Sequence, residues 1–346
     1  MKRSFTLSAL SALAAAVALS VGLTGCSTSG NASAAAPGQP EVTELRYQGS
    51  ANAVSLPELA QALGYLGKVK LKWVGNTISG PQDIQSAATN QTDFGGAFSG
   101  AVVKLIEAGA PVKAVINYYG SDARSFYGFY VKADSNVHTA RDLIGKKIAV
   151  NTLGAHAEAV IDTYLQRNGL TSNEIKQVQL VVLPPNNTEE AIRKGQVEVG
   201  ALNGVLQDHA VAAGGLRSLF SDYSLFGAFD GGQYVLRNDF IKRNPETSKI
   251  FVTGVAKAIE WERTTPRARV IADFTKIING RGRNEGTGNL QYWKSVAVPA
   301  KGGAISDKDF SQWGPWLASS GIVTGQLTPS KYYTNSLNAL ASGRSS

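Results

Sequence analysis

Four short loops of this sequence carry small and polar residues of the kind that hold a ligand without reacting with it. Glycine lets the backbone approach a ligand closely, and the first turn of a helix offers free N–H groups and a partial positive charge. The residues that we expect to contact a ligand in these loops are Ser50, Ala51, Asn52, Phe98, Ser99, Thr152, Gly154, Ala155, His156, Asn203 and Gly204. Ser, Asn and Gly are also ordinary helix caps, so each loop taken alone is equally consistent with a structural role.

Aromatic and acidic residues lie near the same predicted site. Tyr118, Tyr119 and the pair Phe229 and Asp230 can form walls of a cleft, although a tyrosine is nearly as common in a core. His156 is the histidine that falls on a candidate loop, and a lone histidine is more often structural than a ligand contact. The sequence predicts no metal site and no cofactor, because His138 and His209 lack metal-ligand spacing with His156.

The sequence contains only fragments of known enzyme motifs. Asp93, Phe94 and Gly95 spell a kinase triplet, but neither a Gly-rich loop nor a catalytic-loop motif accompanies it. Residues 97–101 miss both outer glycines of the hydrolase nucleophile elbow. The single cysteine, Cys26, has no partner for a disulfide. We therefore predict a binding protein that is not an enzyme.

The candidate loops follow short apolar runs that alternate with amphipathic stretches, a pattern typical of an α/β fold with mostly parallel, mixed sheets flanked by helices. In such sheets the ligand lies beyond the carboxyl ends of the strands, where these loops begin. Beyond residue 233 the pattern predicts mainly helices. They are expected over residues 245–262, 266–278, 289–296 and 307–318.

The α/β pattern occurs twice. Residues 198–204 match residues 93–99 at a constant offset of 105, and both segments precede a stretch that ends in Ala-Gly. Chance similarity of two common units is the alternative. The repeat predicts two lobes, one of residues 43–122 plus 228–346 and one of residues 123–227. The chain would cross between them near residues 120–126 and 225–231.

The N-terminus predicts export. Lys2 and Arg3 precede an uncharged apolar stretch, which ends at Cys26 behind two small residues. This order indicates a signal peptide over residues 1–25, with a membrane-spanning helix as the alternative. The cysteine resembles the lipidated cysteine of bacterial lipoproteins, so we expect it to carry a lipid. Residues 26–42 are rich in Ser, Gly, Ala and Pro and predict a flexible tether.

The net charge of the chain is +8. Removing Lys2 and Arg3 leaves 8 − 2 = +6 for the mature part, and its cationic residues are scattered among acids. Nucleic-acid binding needs clustered positive charge, so no nucleic-acid partner is expected.

Several motifs resemble the substrate-binding components of nitrate, sulfonate and taurine ABC importers, the NMT1/THI5-like family. The run from Asp142 to Val150 resembles the family's "DLxGKKhAV" segment, and residues 91–95 resemble "GxhDhG". Residues 108–113 and 189–201 resemble two further family segments, and the order of all four is kept. One departure falls on the loop after residue 150, where Gly154 and Ala155 replace two serines common in sulfonate binders.

The resemblance implies a two-lobed, type II periplasmic-binding-protein fold with the ligand between the lobes. It implies a monomeric lipoprotein outside the cytoplasm that delivers a small, anionic ligand to an ABC permease. A neutral heteroaromatic ligand such as a thiamine-type pyrimidine is the first alternative, because of the missing serines. A lipoprotein that presents its ligand to a signalling partner is the second.

Overall fold

The computed structural model describes residues 41–341. The predicted signal peptide, Cys26 and the predicted tether up to residue 40 lie outside the described residues. Within the described part, no helix has the length and apolar character needed to cross a membrane.

Strands and helices alternate along most of the described chain. The strands are β1 (Glu44–Gly49), β2 (Lys70–Asn76), β3 (Phe94–Phe98), β4 (Val112–Ser121), β5 (Tyr127–Lys132), β6 (Lys147–Val150), β7 (Gln179–Val182), β8 (Val199–Asn203), β9 (Leu216–Ser221) and β10 (Phe229–Arg237). The helices are α1 (Leu56–Ala62), α2 (Gly80–Ala88), α3 (Ser99–Glu107), α4 (His156–Arg167), α5 (Ser172–Ile175), α6 (Pro185–Arg193), α7 (Gly204–Ala212), α8 (Asp222–Phe226), α9 (Asn238–Arg243), α10 (Pro245–Thr264), α11 (Arg267–Gly280), α12 (Lys308–Ser311) and α13 (Gly314–Ser319).

The strands form two groups, which we call lobes. Lobe 1 contains the parallel pair β1-β2 and the sheet β3-β10-β4, with α1–α3 and α9–α13. Lobe 2 contains the five-stranded sheet β7-β6-β8-β5-β9, with α4–α8. The first strand after each crossing, β5 in lobe 2 and β10 in lobe 1, runs antiparallel to its neighbours, whereas β6 pairs parallel with β7 and β8. The two-lobed α/β fold with mixed sheets is confirmed.

The internal repeat is confirmed in three successive elements. Adding 105 to the bounds of α2, β3 and α3 gives the bounds of α6, β8 and α7 at both ends of each element. The same helix–strand–helix unit is therefore used once in each lobe, and it places corresponding loops at the carboxyl ends of β3 and β8.

Apolar packing joins the lobes as well as filling them. One buried cluster contains Phe98 and Trp313 of lobe 1 together with Val160 and Val199 of lobe 2. A second cluster packs α1 and α10 against the lobe 1 sheet. The chain passes between the lobes twice. Residues 122–126 join β4 of lobe 1 to β5 of lobe 2, and residues 227–228 join α8 of lobe 2 to β10 of lobe 1.

Two segments depart from the predicted helices. Residues 289–296 form only a 3-10 turn, Gly288–Tyr292, because Arg267 takes the carbonyls of Gln291 and Trp293 that a helix would use. The predicted helix over residues 307–318 is two short helices, since α12 ends before Gly314 and Pro315.

The first described residues are held against lobe 1. The carboxylate of Glu41 accepts hydrogen bonds from the backbone N–H groups of Glu246 and Thr247, at 3.1 and 2.6 Å. Residues 41 and 42, the end of the predicted tether, thus cap the start of α10, whose own N-cap residue makes no side-chain capping bond.

Candidate functional site between the lobes

Two of the predicted loops face each other across the lobes. Residues 98–100 form the direct junction between β3 and α3 in lobe 1, and residues 152–156 lead from β6 into α4 in lobe 2. The rings of Phe98 and His156 stack with their centroids 5.4 Å apart and their planes 9° apart. The carboxyl ends of β3 and β6 therefore meet at this point.

Aromatic rings enclose His156, which is 5% exposed. Its ring centroid lies within 5.8 Å of five other ring centroids, and the rings come from both lobes. The five residues are Phe98, Tyr119, Tyr127, Phe229 and Trp313. Burial raises the pKa of Tyr119 and Tyr127, so both hydroxyls are neutral donors at ordinary pH.

A buried carboxylate accompanies the imidazole. Nε2 of His156 lies 3.3 Å from Oδ2 of Asp222, without the alignment of a hydrogen bond. The other oxygen of Asp222 accepts hydrogen bonds from the hydroxyl of Ser121 and the backbone N–H of Tyr127, both at 3.0 Å. Asp222 thus joins the end of β4 in lobe 1 to the start of β5 in lobe 2, and the imidazole nitrogens keep their hydrogen-bonding capacity.

The helices that begin at this meeting point have unsatisfied first turns. The N-cap residues of α3 and α4 are Phe98 and Ala155, neither of which makes a side-chain capping hydrogen bond. Their first N–H groups are therefore available donors, favourable for negative charge. Lys104 of α3 adds a full charge, since its ammonium lies 3.7 Å from the position that a Cβ on Gly154 would occupy.

Polar contacts close the cleft on either side of this point. On one side the hydroxyls of Ser79 and Thr152 are 3.1 Å apart, and the amide of Asn151 donates to the carbonyl of Ile78 at 2.8 Å. On the other side the ammonium of Lys294 bonds the carboxylate of Asp208 at 2.5 Å. All three contacts join lobe 1 to lobe 2.

A further bond between the lobes lies behind the aromatic rings. The indole N–H of Trp316 on α13 donates to Oδ2 of Asp162 on α4, at 3.0 Å. Burial raises the pKa of Asp162 to about 6, against the opposing effect of this hydrogen bond.

The other predicted contacts lie elsewhere or are already bonded. The hydroxyl of Ser99 is buried and donates to the carbonyl of Gly231. The backbone N–H of Asn52 donates to Glu285, and its side chain accepts from Gly286. Ser50 and Ala51 are exposed beside this loop, and Asn203 and Gly204 lie at the end of β8.

The last two predicted contacts, Tyr118 and Asp230, belong to lobe 1. Tyr118 stacks on Tyr234, with centroids 4.2 Å apart. Asp230 accepts from the backbone N–H of Ala300, and burial raises its pKa to about 7.

Comparison with known proteins agrees with this architecture. The NMT1/THI5-like family matches residues 59–269, which is more than half of the chain. The chain belongs to the NMT1/THI5-like family. No curated protein matches it in sequence.

Solved structures similar to this family member share its two-lobed fold. The alkanesulfonate-binding protein SsuA from Xanthomonas axonopodis pv. citri, bound to MOPS, is 20% identical with a TM-score of 0.67, over 86% of this chain and 99% of that one. The periplasmic nitrate-binding protein NrtA from Synechocystis PCC 6803 is 14% identical with a TM-score of 0.65, over 86% and 88%. The desulfurization enzyme DSZB is 13% identical with a TM-score of 0.57, over 86% and 97%.

Several residues of the site in this family member were not predicted from sequence. Lys104 sits on a helix among apolar residues, and Asp222 lies in a segment, residues 216–226, for which no element was predicted. Trp313, between α12 and α13, packs against His156 of lobe 2, and no sequence pattern indicated this contact. The pattern Ser-Asp-Tyr-Ser at residues 221–224, which forms a capping box, was the available signal for α8.

Proposed function

We propose that this protein is an exported, lipid-anchored solute-binding protein of an ABC importer. It takes up a small anionic ligand of the nitrate, sulfonate and taurine class in the cleft between its lobes. The observation that carries the proposal is the meeting of the two loops, at residues 98–100 and 152–156, where two uncapped helix N-termini from different lobes converge. Membership of the NMT1/THI5-like family supports it.

The chemistry at this point suits an oxyanion. Free first-turn N–H groups donate to negative oxygen atoms, and the partial positive charge of each helix terminus favours them. The ammonium of Lys104 lies across the cleft from Gly154 and adds an electrostatic attraction. These donors supply what the absent loop serines would have given to a sulfonate.

A second candidate is a neutral heteroaromatic ligand, and the rings around His156 favour it. The imidazole itself occupies a slot between Phe98 and Tyr119, with ring centroids 5.4 and 5.7 Å away. If His156 moved aside when the lobes open, a planar ligand would stack in the same slot. A lipoprotein sensor would use either ligand in the same way and differs only in its partner.

Capture would proceed by closure of the lobes. Ligand enters the open cleft, the crossings at residues 122–126 and 227–228 bend, and the contacts of Ser79 with Thr152 and of Lys294 with Asp208 form. The closed protein then docks on the permease as a monomer, and the ligand leaves chemically unchanged. The enzyme DSZB shares the fold, and a shared fold does not carry over a reaction.

Calorimetry with nitrate, taurine, alkanesulfonates, bicarbonate and aminopyrimidines tests the proposal. We expect one of the anions to bind, with a matching rise in melting temperature and no turnover. Lys104→Gln should weaken binding of that anion by about threefold to tenfold, because one partly screened charge is lost. Lys176→Gln, at the exposed lysine that follows α5, is the matched control and should leave affinity unchanged. Binding of an aminopyrimidine that is insensitive to Lys104→Gln would favour the second candidate, and chemical conversion of a ligand would refute both.

A further inference from the structure

A cavity of about 180 Å³ lies beside the two crossings between the lobes. Asp122 of the first crossing and Ala228 of the second line it, together with Glu262 near the end of α10 and the indole of Trp293. We call it the hinge cavity. It is separate from the cleft at His156, because none of the rings that enclose His156 lines it.

Glu262 gives the hinge cavity an unusual chemical character. Its side chain is buried, with 7% of the residue exposed, and its carboxylate makes no hydrogen bond or ion pair with any residue in 41–341. Burial raises its pKa to about 8. A buried carboxyl group without a partner is costly when charged, and a donor that enters the cavity would relieve that cost.

Three of the four cationic side chains in the cavity wall are engaged, namely Arg263, Arg267 and Lys294, and the fourth, Arg124, is exposed to solvent. Arg263 donates to the backbone carbonyls of residues 298–300 at 2.7 to 3.0 Å. Arg267 donates to the carbonyls of Gln291 and Trp293. The protein therefore holds these guanidinium groups away from Glu262, and neither neutralises it.

We propose that the hinge cavity is a second ligand site, which takes a small amine. The ammonium group would pair with the carboxylate of Glu262 in a charge-assisted hydrogen bond, and the indole of Trp293 would supply an aromatic face for the cation. The size of the cavity limits the ligand to a few heavy atoms. This inference does not depend on which solute occupies the cleft.

Occupancy of the hinge cavity would influence the movement of the lobes. The cavity touches both crossings, and Lys294 in its wall forms the bond to Asp208 of lobe 2. A ligand that stabilises this arrangement would favour the closed form and tighten binding in the cleft. By thermodynamic reciprocity, the solute in the cleft would tighten binding of the amine by the same factor.

Saturation-transfer NMR with ethylammonium and 1,4-diaminobutane tests the site, on the folded mature protein at constant ionic strength and at a pH of about 9, where Glu262 is ionised and the amines remain protonated. We expect saturable binding to the wild type and a dissociation constant at least about tenfold higher in Glu262→Gln, as expected for loss of a charge-assisted bond. Glu262→Gln is isosteric and should melt no lower than the wild type. Glu190→Gln, at an exposed glutamate of α6, is the matched control and should bind like the wild type.

A second variant tests the site by filling the hinge cavity with a larger side chain. Ala228→Phe should fill the cavity from the second crossing and abolish amine binding while Glu262 stays in place. Equal amine affinity in Glu262→Gln and the wild type, persistence of binding in Ala228→Phe, or no saturable amine binding to the wild type would each overturn the proposal.

Discussion

The carboxylate of Glu158 has two opposing effects at the start of α4. The carboxylate of Glu158 accepts a hydrogen bond of 2.7 Å from the backbone N–H of Gly154, which has a φ of 66° that favours glycine. This bond fixes the loop that faces Phe98. The same carboxylate places a negative charge beside the helix N-terminus where we propose that an anion binds. The residue that orders the loop therefore weakens the field that attracts the ligand.

Glu158→Gln should tighten anion binding by about threefold to tenfold, because the amide oxygen can still accept from Gly154 while the repulsion disappears. Affinity for a neutral heteroaromatic ligand should stay the same. Calorimetry with both ligand classes measures the difference. Asp134→Asn, at an exposed carboxylate of lobe 2, controls for a general change in charge. Equal tightening for both ligand classes would contradict the electrostatic explanation.

Individual site residues were predictable only in part. The loops could be located from sequence because loops that follow strands in an α/β fold gather at one edge of the sheet. Phe98 and His156, which we predict to contact the ligand, lie on facing segments and their rings stack. Their stacking depends on Trp313, which is more than 150 residues away along the chain, and no local pattern specifies such a contact.

The elements of the repeat were the most predictable part of the fold. The unit α2–β3–α3 recurs as α6–β8–α7 because each copy has the same spacing of apolar residues and glycines. The segments that were missed or misassigned lie outside the repeat. Residues 289–296 have a helical pattern, yet their carbonyls bond to Arg267, so tertiary contacts overrode local preference.

Helices α4 and α13 are joined by a polar bond between the lobes, from Trp316 to Asp162, and Trp316→Phe should reveal its contribution. Loss of the indole N–H leaves Asp162 buried without this donor. We expect the free energy of unfolding to fall by about 2 kcal/mol, part from the hydrogen bond and part from lost volume. Urea denaturation measures this change.

Trp313→Phe is the matched control for volume, because Trp313 is also fully buried. The indole N–H of Trp313 makes no hydrogen bond within residues 41–341, so this variant should lose less stability. Equal losses in the two variants would show that the bond between α4 and α13 contributes nothing measurable.

Buried carboxyl groups make the stability of the whole molecule depend on pH. Burial raises the pKa of Asp83 to about 7, from a model-compound value of 3.8, although Gly96 donates a backbone hydrogen bond to it. Between these two values the folded protein holds a proton that the unfolded chain releases. The free energy of unfolding should therefore fall as the pH rises from about 4 to about 7.

Asp83→Asn should flatten this dependence. Its amide oxygen can still accept from Gly96, and it cannot ionise. We expect the melting temperature of the wild type to drop by a few degrees more than that of the variant between pH 5 and pH 8. Scanning calorimetry across this range checks the difference. Parallel curves for the two proteins would show that Asp83 does not titrate there.

The balance between open and closed lobes should set the affinity for solute. The bond between Lys294 and Asp208 joins the lobes and lies outside the aromatic cluster around His156, so it stabilises closure without contacting the solute we propose. Lys294→Met should raise the dissociation constant of the cleft ligand by up to about fivefold, since Lys294 is half exposed and such pairs contribute about 1 kcal/mol or less. Small-angle scattering should show a larger radius of gyration at partial saturation.

Lys331→Met is the matched control for this effect. Lys331 bonds Glu107 at 2.7 Å within lobe 1, so its removal costs a similar ion pair without changing the contact between the lobes. The affinity and the radius of gyration of this variant should equal those of the wild type. If Lys294→Met also left both unchanged, closure would depend on the other contacts between the lobes, such as the apolar cluster that contains Phe98 and Val160. If both variants weakened binding equally, the loss would reflect general charge rather than closure.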